Sequence, residues 1–94
     1  LVENPEAIAE MCFRHPNLMV ISDEIFSHVT FGKPHKTIAA VPGMEERTIV
    51  IDTFSKTYAM TGWRIGWAVA PVPVIDKLSI FLQDSITNVA AFIQ

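Results

Sequence analysis

The apolar positions of this chain change period several times, and each change marks an element. Asn4-Pro5-Glu6 is a helix start: Asn is a good N-cap, Pro suits the first helical position and Glu suits the positive helix end. Apolar Ala7, Ile8, Met11 and Cys12 follow at helical spacing and predict an amphipathic helix. His15-Pro16-Asn17 ends it, because a residue before proline avoids the helical region. Residues 18–21 are a short, continuous apolar run with two β-branched side chains, which predicts a strand buried on both faces, with Ser22-Asp23-Glu24 as its polar exit. Residues 25–31 are ambiguous. Gly32-Lys33-Pro34-His35 and Pro42-Gly43 are turn signals. Residues 48–51 predict a second strand, with 52–56 as its polar exit, and residues 65–70 a third. Pro71-Val72-Pro73 stops the third strand, and Pro73 opens a last helix whose apolar face is Ile75, Leu78, Phe81 and Leu82.

Helix, buried strand, connection, two strands and helix is an α/β pattern. Continuous apolar strands call for a sheet covered on both sides, and three strands make a small sheet for that. Composition points the same way. Half of the 94 residues are hydrophobic and 18% are charged, against about 25% charged in an ordinary soluble domain. A small domain needs more polar surface than a large one, so the chain reads as the buried middle of something larger. It opens on Leu1, and no stop signal closes residues 85–94; the expectation is a single partial domain.

Charge and cysteine usage remove several function classes. A net charge of −3 argues against a basic nucleic-acid-binding surface. One cysteine, Cys12, excludes an internal disulfide and a multi-cysteine zinc site, and it sits on the apolar helix stripe as a core residue. His15, His28 and His35 lack metal-ligand spacing, so no metal is expected. No apolar run approaches the roughly 18 residues of a membrane helix. No signal-peptide pattern is present, and a cytoplasmic location is the default.

In open α/β sheets ligands sit beyond the carboxyl ends of the strands. The polar groups there are Ser22, Asp23 and Glu24, then Thr53, Ser55 and Lys56. Two hydroxyls with the Arg64 fork suit a phosphate dianion, and a lysine amine forms a Schiff base with an aldehyde. Taken alone, a solvated loop with a surface lysine is the commoner reading of such a stretch. A carboxylate at a buried strand end must find a partner: a protonated ring nitrogen, a helix N-terminus or a structural salt bridge. Spacing does not say whether Asp23 or Glu24 is the inward group. Lys56-Thr57 lacks the glycines of a P-loop, and the Gly62-to-Gly66 spacing encloses Arg64, which spoils a membrane-dimer motif.

Together, residues 22–26 (Ser-Asp-Glu-Ile-Phe) and 53–66 (Thr-Phe-Ser-Lys-Thr-Tyr-Ala-Met-Thr-Gly-Trp-Arg-Ile-Gly) resemble the class I/II aminotransferases. These are fold-type I enzymes dependent on pyridoxal 5'-phosphate (PLP). Lys56, Arg64 eight residues on and Gly66 two further fall where the family has them, as do the Pro42-Gly43-Met44 turn and the Ala70-Pro71 strand exit. The resemblance runs from about residue 18 to residue 94. It implies that residues 1–94 are a central segment of the PLP-binding large domain, a three-layer α/β/α architecture with a mostly parallel mixed sheet. The N-terminal part and the small domain would lie outside it.

The resemblance also implies roles. Lys56 would hold PLP as a Schiff base and carry the proton between the substrate α-carbon and the cofactor. Asp23 would pair with the pyridinium nitrogen and keep the ring protonated, so that it accepts electrons. Thr53, Ser55 and Arg64 would bind the phosphate; the family often has serine where Thr53 stands. The implied reaction moves an amino group from an amino acid to a 2-oxo acid, in a homodimer. One departure stands out. Where the family usually has a tyrosine donating to the cofactor's phenolic oxygen, this chain has Phe26. The asparagine, the stacking aromatic and the substrate-carboxylate arginine of the family are not among these residues, so the segment alone is expected to be inactive. Two other readings share these residues: another fold-type I enzyme (a lyase, decarboxylase or synthase), and the aminotransferase-like effector domain of a transcription regulator.

Overall fold

A computed structural model of the chain describes residues 4–85 and 89–93. Leu1, and residues 86–88 and 94 of the tail that carries no stop signal, lie outside the described residues.

The first helix, α1 (Pro5–Arg14), is built as its sequence predicts. Asn4 Oδ1 accepts from Ala7 N at 3.1 Å, Pro5 and Glu6 occupy the first turn, and His15 N closes the other end on Cys12 O at 3.0 Å. Its inward stripe is Pro5, Ala9 and Cys12, with Ile8 packed beside them. Ala7 and Met11, predicted to face inward, do not; Met11 is half exposed. A loop completes this core. Thr37 caps a 3-10 turn (Ile38–Ala40), and Gly43, at φ +84°, swings the chain so that Met44 enters beside Ala9, Cys12 and Ile38. Arg47 ties the loop back to α1: its guanidinium donates to Cys12 O at 2.9 Å and Pro16 O at 3.4 Å, and lies 5.9 Å above the Phe13 ring.

Three strands form one sheet in the order β1 (Val20–Asp23), β2 (Thr48–Thr53), β3 (Gly66–Val69). β1 runs parallel to β2, with Ile21 beside Ile49 and Asp23 beside Ile51. β3 is antiparallel to β2, with Thr53 beside Gly66. Side chains alternate between the two faces of a strand. Val20, Ser22, Thr48, Val50 and Asp52 therefore share the face covered by the α1 core, and Thr48, Val50 and Asp52 are buried. Ile21, Asp23, Ile49, Ile51 and Thr53 share the other.

Burial on both faces does not hold. Ile21 is 68% exposed and Ile51 39%, because the last helix, α3 (Val72–Ser85), stands off that face. Its Leu78 and Leu82 line the far side of a cavity of about 810 Å³ over Ile21, Ile49 and Ile51. Phe81, predicted on the inward face of α3, is 63% exposed.

Two strands extend past their apolar runs. β1 takes in Ser22 and Asp23, while Leu18 sits in a turn, its N–H bonded to His15 O at 2.9 Å. β2 continues through Asp52 and Thr53, since pairing with Trp67 and Gly66 of β3 carries the ladder past the last apolar residue. The ambiguous stretch begins as a turn over residues 25–28, closed by Ser27 N on Glu24 O at 2.8 Å.

Candidate active site

Because β1 and β2 are parallel, Asp23 and Thr53 leave the sheet at the same edge. Thr53 organises the turn beyond β2. Its Oγ1 accepts from Ser55 N at 3.1 Å, capping the short helix α2 (Phe54–Thr57), and donates to Ile65 O at 2.7 Å. Ser55 Oγ lies 3.0 Å from Thr53 Oγ1. Thr61 Oγ1 donates to Ser55 O at 3.3 Å, which folds the segment after α2 back over it. Two residues in that segment are left-handed, Ala59 and Arg64, both at φ 53°. The bend at Arg64 leads directly into β3. Gly66 lets β3 approach β2 closely, since a Cβ there would lie 3.1 Å from the Asp52 carbonyl oxygen, a tight contact.

The result is convergence. Thr53, Ser55, Lys56 and Arg64 all line the 810 Å³ cavity, with Ile51 and Trp67 among its walls. Ser55 is buried, whereas Lys56 and Arg64 are exposed. The Arg64 guanidinium is steadied by donation to Thr61 O at 3.1 Å. Lys56 Nζ sits 5.7 Å from the centre of the Phe26 ring.

Asp23 does not line this cavity. It stands at the same sheet edge, beside Ile51 and two residues before Ile25, and both of those line it. Its side chain is exposed, and Oδ1 accepts from Ile25 N at 3.3 Å.

The inward carboxylate is Glu24, which the sequence left undecided with Asp23. Glu24 is 7% exposed and receives Ser22 Oγ at 2.9 Å and Thr37 Oγ1, with His35 Nε2 at 2.9 Å. Burial pushes its pKa up, but the bonds from Thr37, His35 and Ser22 outweigh that, and the carboxyl is held below its ordinary value. The partners come from a loop 11 and 13 residues away, so no local spacing announces them; the signal was only the acidic pair at a strand end.

Among the described residues no group of three or more His, Cys, Asp or Glu side chains is placed to hold a metal. No helix among them is long and apolar enough to cross a membrane. The donor set fits a phosphorylated aldehyde: an exposed amine, a hydroxyl and a guanidinium on one cavity wall, with an exposed carboxylate at its edge.

Residues 2–92 match the family model for aminotransferase class I and II. The chain belongs to this family. It is 43% identical over 93 residues to an aspartate aminotransferase of Musicola paradisiaca, covering 98% of this chain and 23% of that protein. With an aspartate aminotransferase of Pyrococcus abyssi it shares 44% identity over 90 residues, 95% of this chain and 23% of the relative. Among solved structures, an aromatic aminotransferase from Pyrococcus horikoshii matches with TM-score 0.82 and 42% identity, over 88% of this chain and 22% of that one. The aspartate aminotransferase of Rhizobium meliloti matches with TM-score 0.83 and 32% identity, over 87% and 21%. The mixed sheet with its helices is thus an incomplete α/β domain of the aminotransferase type, as the resemblance implied. The chain spans under a quarter of the length of these relatives.

Proposed function

We propose that residues 1–94 are a central segment of the large domain of a PLP-dependent aminotransferase that moves an amino group from an amino acid to a 2-oxo acid. One observation carries the reading. Thr53, Ser55, Lys56 and Arg64, spread over twelve positions, are folded onto a single cavity at the carboxyl edge of a parallel strand pair. Bound there, PLP supplies an aldehyde for condensation with an amine and a ring that accepts electrons.

The chain's own residues then have distinct tasks. Lys56 Nζ would hold the cofactor through its aldehyde, and as a free amine it would take the proton from the substrate α-carbon. Asp23 pairs with the protonated ring nitrogen and keeps its proton in place. Arg64 and the Ser55 hydroxyl bind the phosphate. Thr53 acts there too; since its one hydroxyl hydrogen is donated to Ile65 O, it contacts the phosphate as a donor only by releasing that carbonyl, and otherwise it fixes Ser55. Ile51 and Trp67 give the cavity apolar walls beside these groups.

The relatives' names favour amino transfer over lyase, decarboxylase or synthase chemistry: they are called aspartate, aromatic-amino-acid or arginine–pyruvate aminotransferases and transaminases. The homodimer and the inactivity of the isolated segment belong to the same proposal. A donor screen of the full-length protein tests it. With PLP and no acceptor, an amino acid should yield one equivalent of 2-oxo acid per site, and added 2-oxo acid should restore turnover. Carbon dioxide or ammonia as the product would contradict amino transfer.

A further inference from the structure

We propose that Glu24 is a positioning residue for this site: its clamp with Ser22, His35 and Thr37 fixes the face on which Asp23 stands and the place of Phe26 against Lys56. The proposal rests on the PLP reading of Lys56 and Asp23.

Glu24 touches none of the cavity and is committed at every polar group. Its N–H donates to Ile51 O at 2.8 Å, the last bond of the β1–β2 ladder, and its carbonyl accepts Ser27 N at 2.8 Å, which closes the turn over residues 25–28. Its carboxylate gathers Ser22 from its own strand and His35 and Thr37 from the distant loop. That loop is anchored in turn, because Thr37 Oγ1 accepts from Ala39 N at 3.3 Å, next to Ile38 in the core. A buried carboxylate is stable only when so satisfied, so the Glu24 side chain has one direction available. Neighbours along an extended chain point to opposite faces. With Glu24 drawn towards the loop, Asp23 is turned to the open face it shares with Ile51 and Thr53. The turn that Glu24 closes presents Phe26 to Lys56. The clamp therefore sets two residues of the site from the opposite side of the sheet.

A double-mutant cycle in the full-length protein separates positioning from mere stability. The readouts are PLP affinity by absorbance titration and the pH midpoint of the bound cofactor's visible band. Borohydride labelling of Lys56 is run alongside. Glu24→Ala should weaken PLP binding by about tenfold or more and move the pH midpoint. Glu24→Gln, which keeps an oxygen for Ser22 and Thr37, should recover most of the affinity. On an Asp23→Asn background, Glu24→Ala should add less than about a twofold loss, since both changes remove the same contact. Should Glu24→Ala fail to fold, His35→Asn takes its place and should move the same midpoint. Fully additive losses with an unmoved midpoint overturn the clamp while leaving labelled Lys56 in place. Loss of the Lys56 label in the unmutated protein would instead overturn the PLP reading beneath it.

Discussion

The Lys56 ammonium stands 5.7 Å from the centre of the Phe26 ring, and the two side chains reach this contact from the ends of neighbouring parallel strands. The ring face attracts the cation by about 0.5–1 kcal/mol where exposed, and it gives the flexible lysine stem a side to rest on. Phe26 brings no donor to the site. Phe26→Tyr adds a hydroxyl on the same ring, and a new bond to the cofactor is worth about 0.5–1.5 kcal/mol. Full-length Phe26→Tyr should bind PLP roughly two- to tenfold more tightly by absorbance titration. Unchanged affinity would show that Phe26 is not beside the cofactor.

Arg64 is left-handed, a conformation that costs a residue with a side chain about 1–2 kcal/mol. Strain of this kind gathers at functional sites. Arg64→Gly relieves it, and the added backbone entropy of glycine, roughly 0.5–1 kcal/mol, does not cancel the gain. Thermal stability should hold or rise, while PLP affinity falls by at least about tenfold with the guanidinium gone. A less stable variant with unchanged affinity would mean that Arg64 serves the fold and not the phosphate.

Arg47 joins α1 to the loop before β2 through Cys12 O, Pro16 O and the Phe13 ring. Arg47→Ala should cost about 2–3 kcal/mol and speed amide exchange at the end of α1 without changing PLP affinity per folded molecule. Arg47→Lys should restore part of this, since one ammonium cannot bond both carbonyls and stack.

Glu24 makes a signed prediction about acid. Its folded pKa lies below the ordinary value of 4.5, so the native state favours the ionised form. The stability it contributes is fully present above that value and is lost as pH falls through the lower, folded one. Thermal midpoints of the full-length protein should drop below pH 4.5 more steeply than those of Glu24→Gln. Parallel curves would contradict the assignment.

Much of this was legible in residue order. The α1 caps, the strand order in sequence and the Lys56-to-Arg64 spacing carried the fold class and the family, because caps and backbone bends are local. Ladder pairing is not local, so Asp52 and Thr53 read as a polar exit although β3 holds them in the sheet. Nor is tertiary burial: the choice between Asp23 and Glu24 was settled by His35 and Thr37, which lie too far along the chain for any periodicity to reach. Met11 and Phe81 follow a helical stripe but meet no partner among the described residues that would bury them.

In the proposed function Lys56 is the residue that holds PLP. The direct measurement is borohydride reduction of the full-length protein after incubation with PLP, then peptide sequencing, with Lys56→Ala as control. A single phosphopyridoxyl group on Lys56, absent from the variant, is the predicted result. Label on another lysine, or label that survives Lys56→Ala, would contradict it.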